Sequence, residues 1–254
     1  MVDIRFLDPM PAPRHFTIKL FRLFLLRVAK LRNETLYFVH IGKCGGTSLR
    51  TAVRRSWQVR KRFRRLRVIH FSKPPISADA KYLFAVRNPV ARSLSAFNYR
   101  KQKVLEGHPE KYPGEREALF RYKSFSELAE RLAESGLRGD TARKDFRLIH
   151  HLGDESIDYY LRDLLPRIRA NQIWGIVTVE NFSADVKQIL GIEAPHHKNY
   201  ASKKSQAELH LSELARKNLQ SYLSADFDQL CTLFRMGEMS SETVKLLMSA
   251  DFPN

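Results

Sequence analysis

The chain is poor in cysteine, in long apolar runs and in acidic residues. Its only cysteines, Cys44 and Cys231, are too few for a disulfide framework and have no histidines at zinc-site spacing. No segment approaches the roughly 20 apolar residues that span a bilayer. Acidic residues number 27 against 44 lysines and arginines, a formal net charge of +17. These deficits favour a reducing, cytoplasmic setting and an anionic partner.

What is present fits a single α/β domain. With 43% hydrophobic residues, the chain can bury one core. Strands are predicted at Thr35–Ile41, Arg67–Phe71, Tyr82–Arg87 and Ile173–Asn181, with helix patterns between them. This alternation predicts a central parallel sheet flanked by helices, in which ligands bind beyond the carboxyl ends of the strands.

We expect three parts within this domain: a helical extension over residues 1–33, an α/β core over 35–205 and helices over 206–254. In His15–Leu31, basic residues recur near helical spacing among apolar ones, which indicates an amphipathic helix. Its interleaved charges argue against a signal peptide. The helix either packs on the domain with a basic outer edge or lies on an anionic membrane surface.

The turn after the first predicted strand, HIGKCGGTSL, has the composition of a phosphate cradle. Gly45 and Gly46 let backbone amides approach a ligand, and Thr47 and Ser48 open a helix whose free N–H groups favour an anion. Lys43 adds a positive charge. Because this lysine precedes the glycines, the turn is not a Walker A loop. A glycine turn with a solvated lysine is the structural alternative.

The third strand leads into a second candidate anion site, FAVRNPVARSLSAF. Arg87 ends the strand, and Ser95 lies inside the following helix, so both can face one cleft. Arginine suits forked contacts with phosphate oxygens. Arg92 is expected to anchor the helix or to line the cleft.

Together and in this order, the two motifs resemble those of sulfotransferases that use 3′-phosphoadenosine 5′-phosphosulfate (PAPS). The resemblance is to the carbohydrate branch that includes heparan-sulfate 2-O-sulfotransferase. It implies a P-loop-like three-layer fold in a bacterial enzyme that transfers a sulfuryl group to a hydroxyl of a glycan or glycolipid, without a metal. The residues that it assigns to the 5′-phosphosulfate are Lys43, Cys44, Gly45, Gly46, Thr47 and Ser48; it assigns Arg87 and Ser95 to the 3′-phosphate.

Three positions depart from the pattern of that family. Gly42 stands where proline is usual, which loosens the turn. Cys44 replaces a threonine, which removes a hydroxyl from the phosphate pocket, and Asn88 replaces an aspartate.

A histidine suits the role of base because its pKa lies near neutrality. His70 ends the second predicted strand, between the two motifs, where the resemblance implies the base. A histidine hydrogen-bonded at a strand end is the alternative. His40 is expected to be packed or to support the site indirectly. Glu180 ends the fourth strand and is expected to orient His70 or the acceptor, or to cap the helix that begins near Phe182.

Two adjacent histidine pairs occur in the sequence, His150-His151 and His196-His197. We expect the side chains of each pair to diverge, so that neither pair binds a metal. The second pair belongs to the loop PHHKNYASKKS, which resembles a late loop of the family that closes over the cofactor. There Asn199, Lys203 and Lys204 are candidate cofactor contacts, with a solvated basic loop as the alternative.

The stretch Arg54–Arg67 is rich in lysine and arginine, with Trp57 and Phe63 interleaved. We expect it to rim the acceptor cleft and to attract an anionic acceptor; a solvated surface is the alternative. No recognition module for nucleic acid surrounds it, which argues against a nucleic-acid partner.

Two rival functions remain open at this stage. A nucleotide-dependent kinase would use the same cradle but needs a magnesium-binding aspartate at a strand end, where this chain has Arg87. A non-enzymatic basic module would bind nucleic acid or an anionic membrane. The sulfotransferase hypothesis places the protein in the bacterial cytoplasm, with peripheral contact to the inner membrane left open.

Overall fold

The computed structural model describes residues 2–5, 34–194 and 210–249, the first four as backbone only. The strands are β1 (Val2–Arg5), β2 (Thr35–His40), β3 (Arg65–Ile69), β4 (Ala80–Val86) and β5 (Ile173–Thr178). They form one sheet in the order β1-β3-β2-β4-β5. Strands β3, β2, β4 and β5 are mutually parallel, which confirms the predicted parallel sheet flanked by helices.

The antiparallel edge strand was not predicted. Val2–Arg5 was placed in a helical extension, but it pairs with β3, with Val2 opposite Val68 and Arg5 opposite Arg65. Four residues carry too little periodicity to indicate a strand, and this one is defined by its partner. The predicted helix at 15–31 lies outside the described residues.

In the described residues, helices lie between strands and after the last strand. They are α1 (Gly46–Arg55), α2 (Trp57–Arg62), α3 (Pro89–Leu105), α4 (Glu115–Phe120), α5 (Phe125–Arg131), α6 (Gly136–Leu148), α7 (Ile157–Leu161), α8 (Phe182–Leu190), α9 (Glu213–Tyr222), α10 (Ser224–Met236) and α11 (Ser241–Met248). Within these segments, none of the helices has both the length and the apolar character needed to cross a membrane.

Local capping residues explain several helix starts. Ser124 accepts a hydrogen bond from the Glu127 N–H and begins α5, as its sequence pattern predicts. α5 ends at Arg131, and Gly136 is the first residue of α6. α7 ends at Leu161, before Pro166, and 3-10 turns follow at Leu165–Arg167 and Ala170–Gln172.

The core has two parts. Side chains of β2 and β4 such as Leu36, Phe38 and Phe84 are fully buried, as expected for central strands of a parallel sheet covered on both faces. A second cluster joins α3, α5 and α6 through Phe97, Phe125 and Phe146. The packed strands hold the loops at their carboxyl ends in fixed positions.

Candidate functional site

The carboxyl ends of three neighbouring strands bring the predicted residues to one edge of the sheet. In the register, Val39 of β2 is opposite Ile69 of β3, and His40 is opposite Ala85 of β4. The cradle follows β2, His70 follows β3 directly, and Arg87 follows β4 directly. Segments distant in sequence therefore meet where ligands bind in parallel sheets.

Two left-handed residues shape the cradle. Lys43 has φ +67° and Gly45 has φ +70°, a conformation that costs a non-glycine residue energy and that glycine adopts freely. Helix α1 begins immediately afterwards. Its first turn has neither a capping side chain nor an acidic residue, so its N–H groups remain available to an anion.

Histidine rings pack against two glycines of this turn. A Cβ on Gly46 would lie 1.7 Å from Cδ2 of His40, and a Cβ on Gly42 would lie 2.5 Å from Nδ1 of His151. Both distances are far shorter than a carbon contact allows. The motif that this loop resembles has a proline at the position of Gly42. Glycine is needed here because the His151 ring occupies the space that a larger residue would fill.

Cys44 does not contribute its side chain to the cradle. The thiol is buried in the sheet core, where burial raises the pKa of Cys44 to about 12. Its N–H donates to the Ile41 carbonyl over 3.3 Å. The prediction that Cys44 binds the cofactor is thus wrong for the side chain, because this residue points into the core.

Lys43 lies close to helix α3. Its Nζ sits 3.7 Å from the centroid of the Tyr99 ring, within the range of a cation–π interaction. Sequence reasoning missed Tyr99, since a tyrosine inside a long helix carries no signal of its own.

His70 is held in an orientation suited to a base. Its Nδ1 lies 2.9 Å from the His40 carbonyl oxygen. Because a carbonyl only accepts, Nδ1 carries the hydrogen, and Nε2 keeps its lone pair. The ring stacks on His40 with centroids 4.0 Å apart, and the Tyr160 hydroxyl donates to the His70 carbonyl. Tyr160 was not predicted, because it comes from a helix 90 residues away.

His40 supports His70, as expected. Burial first, and the neighbouring His70 second, lower the pKa of His40 to about 3. At neutral pH His40 is therefore uncharged, and it offers His70 a stacking surface and a backbone acceptor.

Thr47 of the cradle and His70 line a shared cleft of about 360 Å³. Its lining residues are His40, Thr47, Arg50, Val68, His70, Phe71 and Ser72. Phe71 is two-thirds exposed at its mouth. Arg50 of α1 was not singled out from the sequence. Arg50 lines this cleft. The lysines and arginines of the stretch Arg54–Arg67 do not line it, contrary to the prediction that this basic stretch rims the cleft.

Arg87 and Glu180 lie together at the ends of β4 and β5. The Nε of Arg87 and one carboxylate oxygen of Glu180 are buried without a hydrogen-bond partner among the described residues. Burial lowers the pKa of Arg87 while Glu180 opposes that shift, and burial raises the pKa of Glu180. A buried Nε–H without a partner, on a half-buried arginine, fits an anionic ligand group.

Glu180 neither orients His70 nor caps α8, and its predicted contact with the acceptor stays a prediction. Its other oxygen accepts the Asn88 N–H over 2.9 Å, which ties the end of β5 to the start of α3. It contacts Asn88 instead of His70, and the cap position of α8 belongs to Asn181. Ser95 lies about two turns after Asn88 in α3, on the same side of the helix, and is half-buried.

Arg92 anchors the back of the cradle and does not line the cleft. It is completely buried. Its Nε donates to the Gly42 carbonyl over 3.1 Å, and one Nη donates to the carbonyls of His151 and Glu155. The first of its two predicted roles is confirmed.

The adjacent histidines 150 and 151 do not diverge, contrary to the prediction. His151 has φ +72°, and this left-handed conformation brings the two ring centroids to 3.8 Å. Burial lowers the pKa of His151 to about 4, although Glu155 opposes that shift. Burial would raise the pKa of Glu155, but hydrogen bonds from both histidines outweigh it and hold that pKa below its ordinary value.

Some predicted residues cannot be placed. His196, His197, Asn199, Lys203 and Lys204 lie outside the described residues. Comparison of the chain with protein-family models, with curated proteins and with solved structures gave no match.

Proposed function

We propose that this protein is a PAPS-dependent sulfotransferase of P-loop-like α/β architecture, acting on a hydroxyl of a glycan or glycolipid. One observation carries the proposal. The lysine-bearing cradle, His70 and Arg87 follow three neighbouring parallel strands and meet at one sheet edge.

The cradle serves the 5′ end of the donor. PAPS supplies the sulfuryl group on a phosphate leaving group. Lys43 and the N–H groups of the first turn of α1 stabilise the negative charge that builds on that phosphate as the acceptor oxygen attacks in line. Thr47 and Ser48 add hydroxyl donors at the same helix start.

Arg87 and Ser95 serve the 3′ end. The unsatisfied Nε of Arg87 is the main support, because a buried donor without a partner is costly until a ligand satisfies it. A nucleotide kinase would want an aspartate at this strand end, and no observation among the described residues favours that alternative.

His70 takes the proton from the acceptor hydroxyl. Its Nδ1–H bond to the His40 carbonyl leaves Nε2 as the proton acceptor. The hydroxyl of Tyr160 and the ring of His40 hold His70 in place.

The acceptor is expected to be anionic. Arg50 lines the cleft, and exposed Phe71 gives it an apolar edge. The aromatic pattern of the basic stretch does not support nucleic-acid binding, because Phe63 is fully buried against Trp174 and cannot stack on bases.

The test is transfer of radiolabelled sulfate from PAPS to a panel of anionic and neutral glycans and glycolipids. We expect the wild type to label at least one class, and His70→Ala to reduce transfer by about 100-fold or more while binding of adenosine 3′,5′-bisphosphate is retained. His108→Ala is the matched control, since His108 is an exposed histidine away from this edge. Transfer by His70→Ala at the wild-type rate would show that another group is the base. Phosphate transfer from ATP would favour a kinase.

A further inference from the structure

Three buried side chains converge behind the cradle. His150, His151 and Glu155 place one potential ligand atom each within 4.8 Å of the others. The Nε2 of His150 lies 3.3 Å from one Glu155 oxygen, and Nδ1 of His151 contacts the other oxygen. Two ligands of one tetrahedral zinc ion, each about 2.1 Å from the metal, are separated by about 3.4 Å. The pair formed by His150 and Glu155 has this spacing, while His151 and Glu155 are in direct hydrogen-bond contact and would have to separate slightly around an ion.

Within the trio each Glu155 oxygen faces one histidine nitrogen. The other ring nitrogen of His150, Nδ1, is buried without a partner among the described residues. His151 keeps a left-handed backbone, which costs a non-glycine residue about 1–2 kcal/mol. Neither histidine lines the cleft where the proposed transfer takes place. The trio is adjacent to the proposed base, with the ring centroids of His151 and His70 6.2 Å apart, but the proposed transfer does not use it.

We propose that His150, His151 and Glu155 bind a divalent transition-metal ion of the zinc class. Two imidazoles and a carboxylate suit zinc and its neighbours, whereas calcium and magnesium prefer all-oxygen sites. The buried cation beside the cluster, Arg92, donates to the backbone carbonyls of His151 and Glu155. Arg92 therefore does not occupy the Glu155 carboxylate, whose oxygens can bind either the two histidines or an ion.

The ion would have a structural role at the cradle. The His151 ring fills the space beside Gly42, and Arg92 ties the Gly42 carbonyl to the segment that carries all three ligands. Fixing His151 therefore fixes the base of the turn that holds Lys43. The proposed sulfuryl transfer needs no metal, and this site supports the turn from behind without entering the reaction.

The test uses the full chain, freed of metal with a chelator and titrated with Zn²⁺ in competition with a chromophoric zinc indicator. We expect a single ion per chain. Glu155→Gln and His150→Ala should each weaken binding by at least about 100-fold, because each removes a ligand and an outer-shell change alone costs about 10- to 100-fold. His108→Ala is the matched control. It removes an exposed histidine whose Nε2 lies 3.8 Å from Glu106, and it should leave zinc binding unchanged.

Cobalt gives a second readout that does not depend on the variants. Co²⁺ added to the metal-free wild type should produce the intense visible bands of a four- or five-coordinate site, and Zn²⁺ should abolish them. Circular dichroism of each variant reports folding, and Glu155→Gln keeps the size of the side chain. A wild type that binds no ion, or variants that bind zinc as the wild type does, would overturn the proposal. Because no nucleotide is used, this result is independent of whether the protein transfers sulfate.

Discussion

At the scale of single residues, two histidine rings pack against the backbone of the cradle and limit its shape. His40 packs under Gly46, and His151 packs under Gly42. The loop sequence indicated glycines for close approach of a phosphate. The structure adds a second reason, which is that each glycine leaves room for a histidine ring.

Gly46→Ala should destabilise the protein by about 1–3 kcal/mol, because its Cβ would overlap the His40 ring. In an ordinary helix the same substitution stabilises by up to about 1 kcal/mol. Urea unfolding of the wild type and the variant measures the difference.

A double-mutant cycle identifies the cause. His40→Ala removes the ring, so Gly46→Ala should cost much less in that background. Additive effects of Gly46→Ala and His40→Ala would contradict the steric explanation.

At the scale of elements, Asn88 joins the start of one helix to the end of another. Its Oδ1 accepts the N–H groups of Val90 and Ala91 and caps α3. Its Nδ2 donates to the carbonyls of Leu247 and Ser249 at the end of α11, over 2.7 and 3.0 Å. An aspartate could make the first pair of bonds but not the second, which explains the asparagine at this position.

Asn88→Asp should therefore cost about 1–3 kcal/mol of folding free energy, since the buried Leu247 carbonyl and the partly buried Ser249 carbonyl lose a donor and face a carboxylate. Hydrogen exchange should show increased opening of α11, while the first turn of α3 stays protected. Asn171→Asp, at an exposed asparagine in the 3-10 turn before β5, is the matched control and should have a small effect. Unchanged exchange in α11 would show that the Asn88 bonds do not hold that helix.

The sequence predicted elements whose signals are local. The runs around β2, β3, β4 and β5, the glycine turn and the Ser124 cap are all readable within a few residues. It did not predict β1, whose pairing depends on β3, or the meeting of His150 with His151, which depends on one left-handed residue. Tyr160 joins the site through tertiary packing, so no short motif could reveal it, whereas Arg50 lies one helical turn after Thr47 in α1.

At the scale of the whole molecule, buried histidines couple stability to pH. The folded-state pKa is about 3 for His40 and about 4 for His151, against 6.5 for an exposed histidine. Below about pH 6.5 the unfolded chain binds protons that the folded chain does not. The stabilisation is therefore complete above that pH and is lost as the pH falls.

We expect the free energy of unfolding to decrease by about 2 kcal/mol per buried histidine between about pH 7 and pH 5. Urea unfolding of the protein freed of metal with a chelator measures the slope across this range. His40→Asn should flatten it by about half, whatever the variant does to stability at neutral pH. His108→Asn should leave it unchanged. A slope that His40→Asn does not alter would contradict the buried, neutral state of His40.

The central claim is that Lys43 and Arg87 bind opposite ends of one doubly phosphorylated adenosine. Calorimetry with adenosine 3′,5′-bisphosphate and adenosine 5′-monophosphate tests it most directly, on the wild type and on Arg87→Ala. A charged hydrogen bond contributes about 1.5–3 kcal/mol, so the wild type should prefer the bisphosphate by about 10- to 100-fold. Arg87→Ala should lose this preference and bind the monophosphate as the wild type does. Equal affinity of the wild type for both ligands, or a preference that survives Arg87→Ala, would contradict the account.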